Sequence, residues 1–421
     1  MVAAPVAAEQ EAPLCALLAK MCREPGMADP NNALVPFGAF PELHVARFVI
    51  LRDETLDDLA QYGSEFRVAP VWLAFLSDFD GDCASMLTRL IAHAESGLRA
   101  IFAHCQGYTS SVDLHAWMRA RAVAPATIYA NWVGRTVRQI REEQALHAAM
   151  RAWSVTHAPA LAGAPASQAR ARLIDAMRGS VTLTPPAPTP AGWRLARLIN
   201  LVSVPLIALL LSPLLIVGAP FYAWALRRHE KADAVITPRP EPAHVAALAV
   251  QEDHQVSNQF SAFGSVKPGK FRLWTLRAVF VLLQFSTRHI YTRGRLARVG
   301  TIHFTRWVFM DDHRRVFFAS NYDGSEESYM DDFINKAAFG LNLVFSNGVG
   351  WPRTRWLVLG GANREQEFKH FLRRHQVPTL VWYKAYPDLS AADLATNTRI
   401  REGFEKTAMT EEEARRWLAL I

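Results

Sequence analysis

The sequence contains an internal repeat, and this repeat limits the folds that the chain can adopt. Ser-Asp-Phe-Asp-Gly at Ser77 returns as Ser-Asn-Tyr-Asp-Gly at Ser320, and the two copies then stay in register without a gap to Gly107 and Gly350. The matched positions in this stretch include Asp80/Asp323, Gly81/Gly324, Ser85/Ser328, Gly97/Gly340, Leu98/Leu341 and Phe102/Phe345. Solenoid repeats have periods of roughly 20 to 50 residues, and the period here is far longer. The repeat therefore indicates a duplicated domain.

The residues of the second copy predict its secondary structure. Two alternating segments, 302–310 and 315–320, predict paired strands across the turn 311–313. The segments that follow predict a helix opening at Ser325, a strand at 356–359, a helix at 364–374, a strand at 379–386 and a helix at 390–405. Strands interrupted by helices on one face are typical of ferredoxin-like units, which commonly pair sheet to sheet. We therefore predict an α+β fold in which two ferredoxin-like repeats form an internal pseudo-dimer, with an intervening hydrophobic membrane segment.

The domain boundaries follow from the repeat and from the composition between its copies. They are an N-terminal extension (1–40), repeat 1 (41–156), a Pro/Ala-rich linker (157–193), a membrane segment (194–231), a second linker (232–270), a basic amphipathic helix (271–299) and repeat 2 (300–421). All four cysteines lie in the first part of the chain without CxxC pairing. This argues against a disulfide framework or zinc site and favours a reducing compartment.

An uncharged segment lies between the two copies. Residues 198–226 include no charged side chain, and this stretch is longer than the roughly 20 residues that cross a bilayer core. The alternative is the core helix of a soluble protein, but soluble helices of this length seldom lack a polar face. The segment therefore predicts contact with a membrane.

The charges beside this segment bear on its orientation. The positive-inside rule gives no direction of crossing, because basic residues stand on both sides: Arg194 and Arg197 before it, Arg227, Arg228 and Lys231 after it. We predict that both repeats are cytoplasmic, at a bacterial inner membrane, because paired repeats must lie on the same side. A segment of about 29 residues is too short to cross twice. This favours a re-entrant or monotopic hairpin bent near Pro205, Pro213, Gly218 or Pro220, with a single tilted span as the alternative.

A basic segment after the membrane segment predicts a second contact with the bilayer. Residues 271–285 place Trp and Leu among arginines, and further basic residues follow at Arg288, His289, Arg293, Arg295 and Arg298. This pattern is typical of an amphipathic helix at the headgroup level of anionic lipids, although an ordinary helix with a solvated basic face has the same composition. The net charge of +7 would also suit nucleic acid. No nucleic-acid-binding motif accompanies it, so we predict no such partner.

The Asp-Gly corners of the repeat are the first candidate site. Asp80 and Asp323 each stand at the junction of a predicted strand and a predicted helix. Either aspartate could act as a general acid or base in a pocket between the sheets, with Asp323 favoured because Asn321, Tyr322 and Tyr329 surround it. The alternative is structural, with Asp capping the helix and Gly forming the turn.

The histidines of the chain are the second set of candidates. His44-x-x-Arg47 and His303-x-x-Arg306 recur in the two copies, and residues three apart on a regular strand face opposite sides of the sheet. We therefore predict that the His and Arg of each pair do not share a pocket. His303 and His375 are possible acid, base or ligand residues, while a structural role is the alternative.

The Asp-Gly corners also resemble the G-x-x-D-G signature of dye-decolorising peroxidases. Ser77-x-x-Asp80-Gly81 and Ser320-x-x-Asp323-Gly324 keep its spacing, with serine in place of the first glycine. Those peroxidases are haem proteins built from two ferredoxin-like units. The resemblance implies that Asp80 or Asp323 is the distal acid, that Arg306 assists peroxide cleavage, and that His303 or His375 holds the haem iron. The second copy is also similar to uncharacterised bacterial membrane-associated proteins, which implies no activity.

Two functions are consistent with these patterns. The first is a membrane-associated, haem-dependent peroxidase- or oxygenase-like enzyme that acts on a hydrophobic or lipid-derived substrate from the bilayer. The second is a non-catalytic membrane scaffold or lipid-binding protein, in which the aspartates are caps and the histidines are structural.

Overall fold

The chain has a mixed α+β fold, as predicted, in a computed structural model that describes residues 1–63, 68–161, 163–294, 296 and 298–421. Its strands are β1 (Val2–Pro5), β2 (Cys22–Glu24), β3 (Gly26–Ala28), β4 (Leu43–Leu51), β5 (Trp72–Phe79), β6 (Thr127–Ala130), β7 (Ser257–Ser265), β8 (Ile302–Met310), β9 (Arg315–Asp323), β10 (Thr354–Arg355), β11 (Leu359–Gly360) and β12 (Thr379–Lys384). Its helices are α1 (Glu11–Ala19), α2 (Cys83–Phe102), α3 (Leu114–Ala120), α4 (Val137–Leu161), α5 (Ala166–Met177), α6 (Ala191–Ala232), α7 (Pro242–Ala249), α8 (Lys270–His289), α9 (Glu326–Asp332), α10 (Ala338–Phe345), α11 (Glu365–His375), α12 (Ala391–Glu405) and α13 (Glu411–Leu418). A π-helical turn, Phe333–Ala337, joins α9 to α10. The predicted basic residue Arg295 lies outside the described residues.

The strands form two main sheets, and each sheet draws on both halves of the chain. Sheet I has the order β1-β5-β4-β12-β3-β2, and sheet II has the order β6-β8-β9-β7. The late strand β12 pairs antiparallel with the early strand β4, with Trp382 opposite Arg47. The early strand β6 pairs antiparallel with the late strand β8, with Thr127 opposite Trp307. Each hairpin, β4–β5 and β8–β9, is thus extended by a strand from the other side of α6.

Hydrogen bonds recur at matched positions in the two halves. The Val6 amide donates to the Val71 carbonyl and the Val266 amide to the Arg314 carbonyl, both at 2.8 Å. Residues 71 and 314 keep the register of the sequence repeat. A second matched pair joins Ala7 to His104 and Lys267 to Asn347. The strands β1 and β7 therefore occupy equivalent places beside the two hairpins.

The apolar residues form a core between the sheets and one on the outer side of each sheet. Val49 and Leu76 of sheet I pack between the sheets with Phe263, Val308 and Phe317 of sheet II. Helices α1, α2 and α3 cover the outer side of sheet I, and α8, α10 and α11 cover that of sheet II. Because β4 is covered on both faces, all nine of its residues are buried, which is typical of a central strand.

The predicted elements of the second copy agree with the structure except at one strand. The hairpin at 302–320, the helices at 364–374 and 390–405 and the strand at 379–386 correspond to β8–β9, α11, α12 and β12. The strand predicted at 356–359 is wrong. Trp356 and Leu357 have φ of 59° and 63°, which a strand does not allow, and their amides donate to the Glu230 carboxylate at 3.0 and 2.8 Å.

The two predicted linkers and the N-terminal extension contain regular elements. Residues 157–193 include α5, whose Leu173 and Met177 pack against Leu146 and Met150 of α4. Residues 232–270 include α7 and β7, and residues 1–40 include β1 and α1. The strand β7 lacks apolar alternation because its buried residues are largely Ser, Asn and Gln. The predicted basic helix is also shorter than 271–299, since α8 ends at His289.

The membrane segment is one continuous helix, α6, and the predicted hairpin is wrong. The helix passes through Pro205, Pro213 and Pro220, because proline bends a helix without having to end it. Among the described residues, α6 is the one helix long and apolar enough to cross a membrane. Its most apolar 18-residue window has none of its residues buried by the rest of the protein.

Candidate functional site

Each Asp-Gly corner lies beside the histidine of the same copy. In the second copy, His303 Nε2 is 2.6 Å from Asp323 Oδ1. In the first copy, His44 Nε2 is 3.1 Å from Asp80 Oδ1. The Asp323 side chain is 9% exposed and that of Asp80 is 26% exposed, so the His303–Asp323 pair is the more buried of the two. The structure thus brings together the aspartates and histidines that the sequence suggested separately.

The second copy adds a serine and a lysine to its His-Asp pair. Ser257 Oγ is 3.1 Å from His303 Nε2 and donates a hydrogen bond to Asp323. Lys384 Nζ donates to Ser257 Oγ and to the Leu389 carbonyl, the latter at 2.7 Å. We name Ser257, His303, Asp323 and Lys384 the polar cluster. It joins strands of both sheets, because Lys384 comes from β12 and the other three from sheet II.

Burial sets the protonation of the polar cluster. It lowers the pKa of Lys384 to about 7 and also lowers the pKa of His303. Burial alone would raise the pKa of Asp323, but hydrogen bonds from His303, Ser257 and the Ala391 amide outweigh it and leave that pKa below its usual value. The cluster therefore favours a carboxylate beside an uncharged imidazole.

The first copy surrounds its histidine with aromatic rings instead. His44 Nδ1 lies 2.8 Å from the hydroxyl of Tyr386, and the His44 ring centroid lies 5.5 Å from that of Phe304. Phe304 belongs to sheet II, so His44 faces the space between the sheets. The two copies thus keep the His-Asp contact but differ in the side chains that surround the histidine.

The arginines of the two H-x-x-R motifs cross between the sheets. Arg47 of sheet I donates to Asn321 Oδ1 of sheet II at 3.0 Å. Arg306 of sheet II pairs with the carboxylate of Asp78 in sheet I, the repeat partner of Asn321. Burial, with a smaller contribution from Arg306, lowers the pKa of Arg47 to about 9. Both arginines thus hold the two sheets together, one through an ion pair and the other through neutral acceptors.

His44 and Arg47 share the space between the sheets, and the prediction that they face opposite sides is wrong. The prediction assumed a regular strand, but the pairing of β4 with β5 shifts register between Leu43 and Val45. Such a bulge adds a residue to one strand and turns the side chains that precede it. A corresponding shift occurs in β8, ahead of Arg306.

The corner glycines have the turn role that the sequence suggested. Gly81 and Gly324 have φ of 99° and 86°, a region that glycine enters without a steric penalty. The corner aspartates do not cap the helices that follow them. Those helices, α2 and α9, are capped by the side chains of Asp82 and Ser325.

The corner aspartates instead bind the first amides of helices distant in sequence. Asp80 Oδ2 accepts a hydrogen bond from the Val137 amide of α4 at 2.9 Å. Asp323 Oδ2 accepts one from the Ala391 amide of α12 at 2.7 Å. A carboxylate at a helix N-terminus satisfies a free amide and is favoured by the helix dipole. Each aspartate therefore fixes the start of a helix, α4 after β6 or α12 after β12.

His375 is a tightly packed structural residue. Its Nδ1 lies 2.8 Å from the Phe371 carbonyl and its Nε2 lies 3.2 Å from Thr55 Oγ1. Burial lowers its pKa. A Cβ added at Gly264 would overlap the His375 ring, so the strand approaches the imidazole directly. Both ring nitrogens are engaged within the protein.

These residues do not fit a haem in the way that the resemblance implies. His303 and Asp323 are in contact and cannot stand on opposite faces of a porphyrin as iron ligand and distal acid. The cavity beside Arg306 measures only about 10 Å³, which is room for about one water molecule and not for a porphyrin. In the part of the chain that the structure describes, no three His, Cys, Asp or Glu side chains are placed to hold a metal ion.

The polar cluster is also closed to substrates. Ser257 has 0% of its surface exposed and Lys384 has 6%. No family model, curated protein or solved structure matches this chain. The charged residues between the sheets are buried and have partners within the protein, which supports a structural role for them.

A second candidate site is the apolar face formed by α6 and α8. The two helices lie antiparallel: Arg197 donates to the Arg288 carbonyl at 2.8 Å at one end. At the other end, the Tyr222 ring lies 5.3 Å from that of Phe271. Between these contacts the apolar side chains of α6 are exposed, among them Leu206, Ile207, Leu209, Leu210, Leu214, Leu215, Ile216 and Val217.

Two acidic residues fix the C-terminal end of α6 to the body of the protein. Glu230 accepts the amides of the Trp356 turn. Asp233 accepts hydrogen bonds from Lys267 at 2.8 Å and from Arg272 at 2.7 Å, and all three side chains are buried. The apolar helix is thus attached to the α+β body by specific buried contacts.

Sequence reasoning missed three residues of the interior. Lys384 gave a signal, because it is a lysine within the largely apolar strand predicted at 379–386. Asp78 gave a weaker signal as the charged partner of Asn321 in the repeat. Ser257 gave none, because β7 was assigned to a linker.

Proposed function

We propose that this is a non-catalytic membrane-associated protein that seats an α+β body on one leaflet of a bilayer and binds lipid there. The observation that carries this proposal is the exposed apolar helix α6, whose two ends are both bound to the body. An exposed apolar surface of this length is unstable in water and stable in hydrocarbon. The bilayer is the partner that its chemistry fits.

The sheet pairing supports a monotopic attachment. Strands β4 and β6 precede α6, while their partners β12 and β8 follow it. A helix that crossed the bilayer once would place these partners on opposite sides of the membrane. Both flanks of α6 must therefore lie on the same side, with α6 along the membrane surface beside α8.

The dimensions of α6 agree with this orientation. A helix of 42 residues is about 60 Å long, twice the roughly 30 Å of the hydrocarbon core. The basic residues after the apolar part of α8 suit the headgroups of anionic lipids. We therefore infer that α6 and α8 together form the membrane-binding face.

We infer further that the body is a pseudo-dimer of two ferredoxin-like units that exchange their last strands. The matched hydrogen bonds of β1 and β7 and the reciprocal pairing of β6 and β12 support this. In this arrangement the buried arginines and aspartates hold the units together. The role of the body is then to present α8 and α6 in a fixed orientation.

Sedimentation with lipid vesicles tests the attachment. We expect the full chain to sediment with vesicles containing anionic lipid. Replacing Leu209, Leu210 and Leu214 by serine should reduce the bound fraction by about tenfold or more, because three exposed leucines lose their transfer from water. The matched control replaces the exposed valines Val133, Val155 and Val250 by serine, and it should sediment like the wild type.

Two results would contradict the proposal. The first is a serine variant of α6 that binds vesicles as tightly as its control. The second is an absorption spectrum with a Soret band after expression with ample haem, lost on changing His303→Ala or His375→Ala. That spectrum would restore the peroxidase-like function and refute the non-catalytic one.

A further inference from the structure

An apolar cavity lies between sheet II and the helices that cover it. It measures about 190 Å³ and has an open mouth, and an apolar cavity of about 150 Å³ is large enough to hold a small apolar molecule such as benzene. Trp307, Phe318 and Phe333 line its inner end. Thr305 and Ser286 also line the cavity, and their hydroxyl groups donate hydrogen bonds to backbone carbonyls at 3.0 and 2.9 Å. The wall is therefore largely apolar and rich in aromatic rings.

The equivalent place in the first copy is filled by the chain itself. A Cβ at Gly97 would overlap the backbone of Leu34, whereas a Cβ at the matched Gly340 would meet no atom within 4 Å. The segment that contains Leu34 also buries Val35 and Phe37 in that core. In the second copy the corresponding connection, 290–301, is about half as long and leaves the cavity open. Both copies thus have an apolar site at this place. In the first copy the Leu34 segment occupies it, and in the second copy it is open.

The π-helical turn shapes this cavity. Phe333 and Ala337, the first and last residues of the turn, both line it. Ala337 has φ −128° and ψ 6°, and its repeat partner Ala94 has φ −136° and ψ 21°. π-helical turns are frequent at functional sites because they displace side chains from helical register.

The mouth of the cavity opens beside α6. Leu282 and Phe339, both of which line the cavity, are 58% and 66% exposed. Phe271, Leu282 and His289 are spaced by 11 and 7 residues and therefore share one face of α8. Phe271 and His289 contact α6, so Leu282 stands on the face of α8 turned toward that helix.

The charge near the mouth is positive. Residues 270–300 contain no Asp or Glu. The exposed arginines Arg288 and Arg293 flank Tyr291, which lines the cavity, and Arg298 follows close by. An anion at the headgroup level would be attracted to this end of α8.

We propose that this cavity binds one acyl chain of an anionic phospholipid taken from the leaflet, with its phosphate at Arg288, Arg293 and Arg298. The proposal rests on the membrane attachment described above. A free fatty acid offers the same combination of alkyl chain and anion, so the test must distinguish the two sources. Zwitterionic phospholipid provides the alkyl chain without the net charge.

Quenching of Trp307 by lipids with brominated chains tests the proposal. The full chain is mixed with vesicles of brominated phosphatidylglycerol, brominated phosphatidylcholine or unbrominated lipid containing a brominated fatty acid. The Trp307 signal is the difference between the wild type and Trp307→Phe. We expect quenching by brominated phosphatidylglycerol, with an affinity about tenfold lower for phosphatidylcholine because the arginines lose their anion.

Filling the cavity provides the decisive variant. Gly340→Leu places a side chain in the open space and should weaken the quenching about tenfold or more. Asn335→Leu adds the same side chain at an exposed position of the π turn and should leave quenching unchanged. Equal quenching in both variants overturns the site, and quenching by the fatty acid alone overturns the phospholipid as its source. Sedimentation distinguishes the membrane attachment from the lipid-binding cavity. If the chain sediments with vesicles but Trp307 is not quenched, the attachment stands and the lipid site in the cavity is refuted.

Discussion

At the scale of single residues, matched positions have the same partners in different surroundings. Asp80 and Asp323 each contact a histidine and the first amide of a helix, but Asp323 is the more buried. Burial strengthens each hydrogen bond and raises the cost of leaving a partner unsatisfied. The same contacts should therefore contribute unequally to stability.

Alanine substitutions measure this difference. Asp323→Ala should lower the free energy of unfolding by about 3 to 5 kcal/mol, because it removes the negative charge that favours protonated, buried Lys384 and leaves the Ala391 amide without its acceptor. Asp80→Ala should cost only about 1 kcal/mol, typical of a partly exposed helix cap. Denaturant unfolding in detergent measures both values. Equal losses would contradict the role assigned to burial.

Lys384 makes stability depend on pH above neutrality. Its folded pKa of about 7 lies below the usual 10.5, so between these values the unfolded chain binds more protons than the folded chain. The free energy of unfolding should therefore rise with pH from about 7 upward. Lys267, whose pKa burial lowers to about 8, contributes in the same direction.

The variant Lys384→Met should reduce this rise between about pH 7 and pH 10.5, the window in which the folded chain has lost the lysine proton and the unfolded chain still binds it. The exposed Lys20→Met serves as the control and should keep the full rise. Both are measured by denaturant unfolding at several pH values. Identical slopes for the two variants would show that Lys384 titrates as an ordinary lysine.

At the scale of elements, the same helix position meets different neighbours in the two copies. Helix α2 packs against the Leu34 segment, while α10 and the π turn border the open cavity. The difference arises from the connections before β4 and β8, not from the helices themselves. The lengths of these connections decide whether the site is filled.

Alanine at the two matched glycines reports this difference. Gly97→Ala should destabilise the protein by about 1 to 3 kcal/mol, because its Cβ overlaps backbone that cannot rotate away. Gly340→Ala should be neutral or stabilise by up to about 1 kcal/mol, because alanine is the better helix former. Thermal or denaturant unfolding checks both, and a costly Gly340→Ala would argue against an open cavity.

At the scale of the whole molecule, the pairing of β6 with β8 and of β12 with β4 supports the proposed attachment to one side of a membrane. Along the chain, α6 lies between the hairpin β4–β5 and its partner strand β12. It also lies between β6 and the hairpin β8–β9 with which β6 pairs. Both sheets can form only if the chain after α6 lies on the same side of the membrane as the chain before it. The membrane helix and the sheets therefore constrain each other.

Labelling with an impermeant maleimide in sealed vesicles tests this topology. Cys83 is exposed and precedes α6. A second chain carries Cys83→Ser and the exposed substitution Asp388→Cys, which follows α6. We expect both thiols to be labelled from the same side and to the same extent as each other. Labelling of one before detergent is added and of the other only afterwards would indicate a single crossing.

The sequence by itself determined the α+β class, the hairpin at 302–320, the helices α11 and α12 and the apolar α6. These follow from local patterns: alternation, helical spacing and a long uncharged run. The contacts of His44 with Asp80 and of His303 with Asp323 could have been predicted from the sequence, because both residues of each pair recur in the repeat.

Only the tertiary structure decided the pairing of β6 with β8 and of β12 with β4, the continuity of α6, the distant helix ends bound by the corner aspartates and the open cavity beside Gly340. The physical reason is that these features depend on contacts between residues far apart in sequence. Asp323 looks the same in the sequence whether its carboxylate meets the α9 amides or that of Ala391. Hydrogen bonding and close packing in the folded protein determine which amide the carboxylate binds.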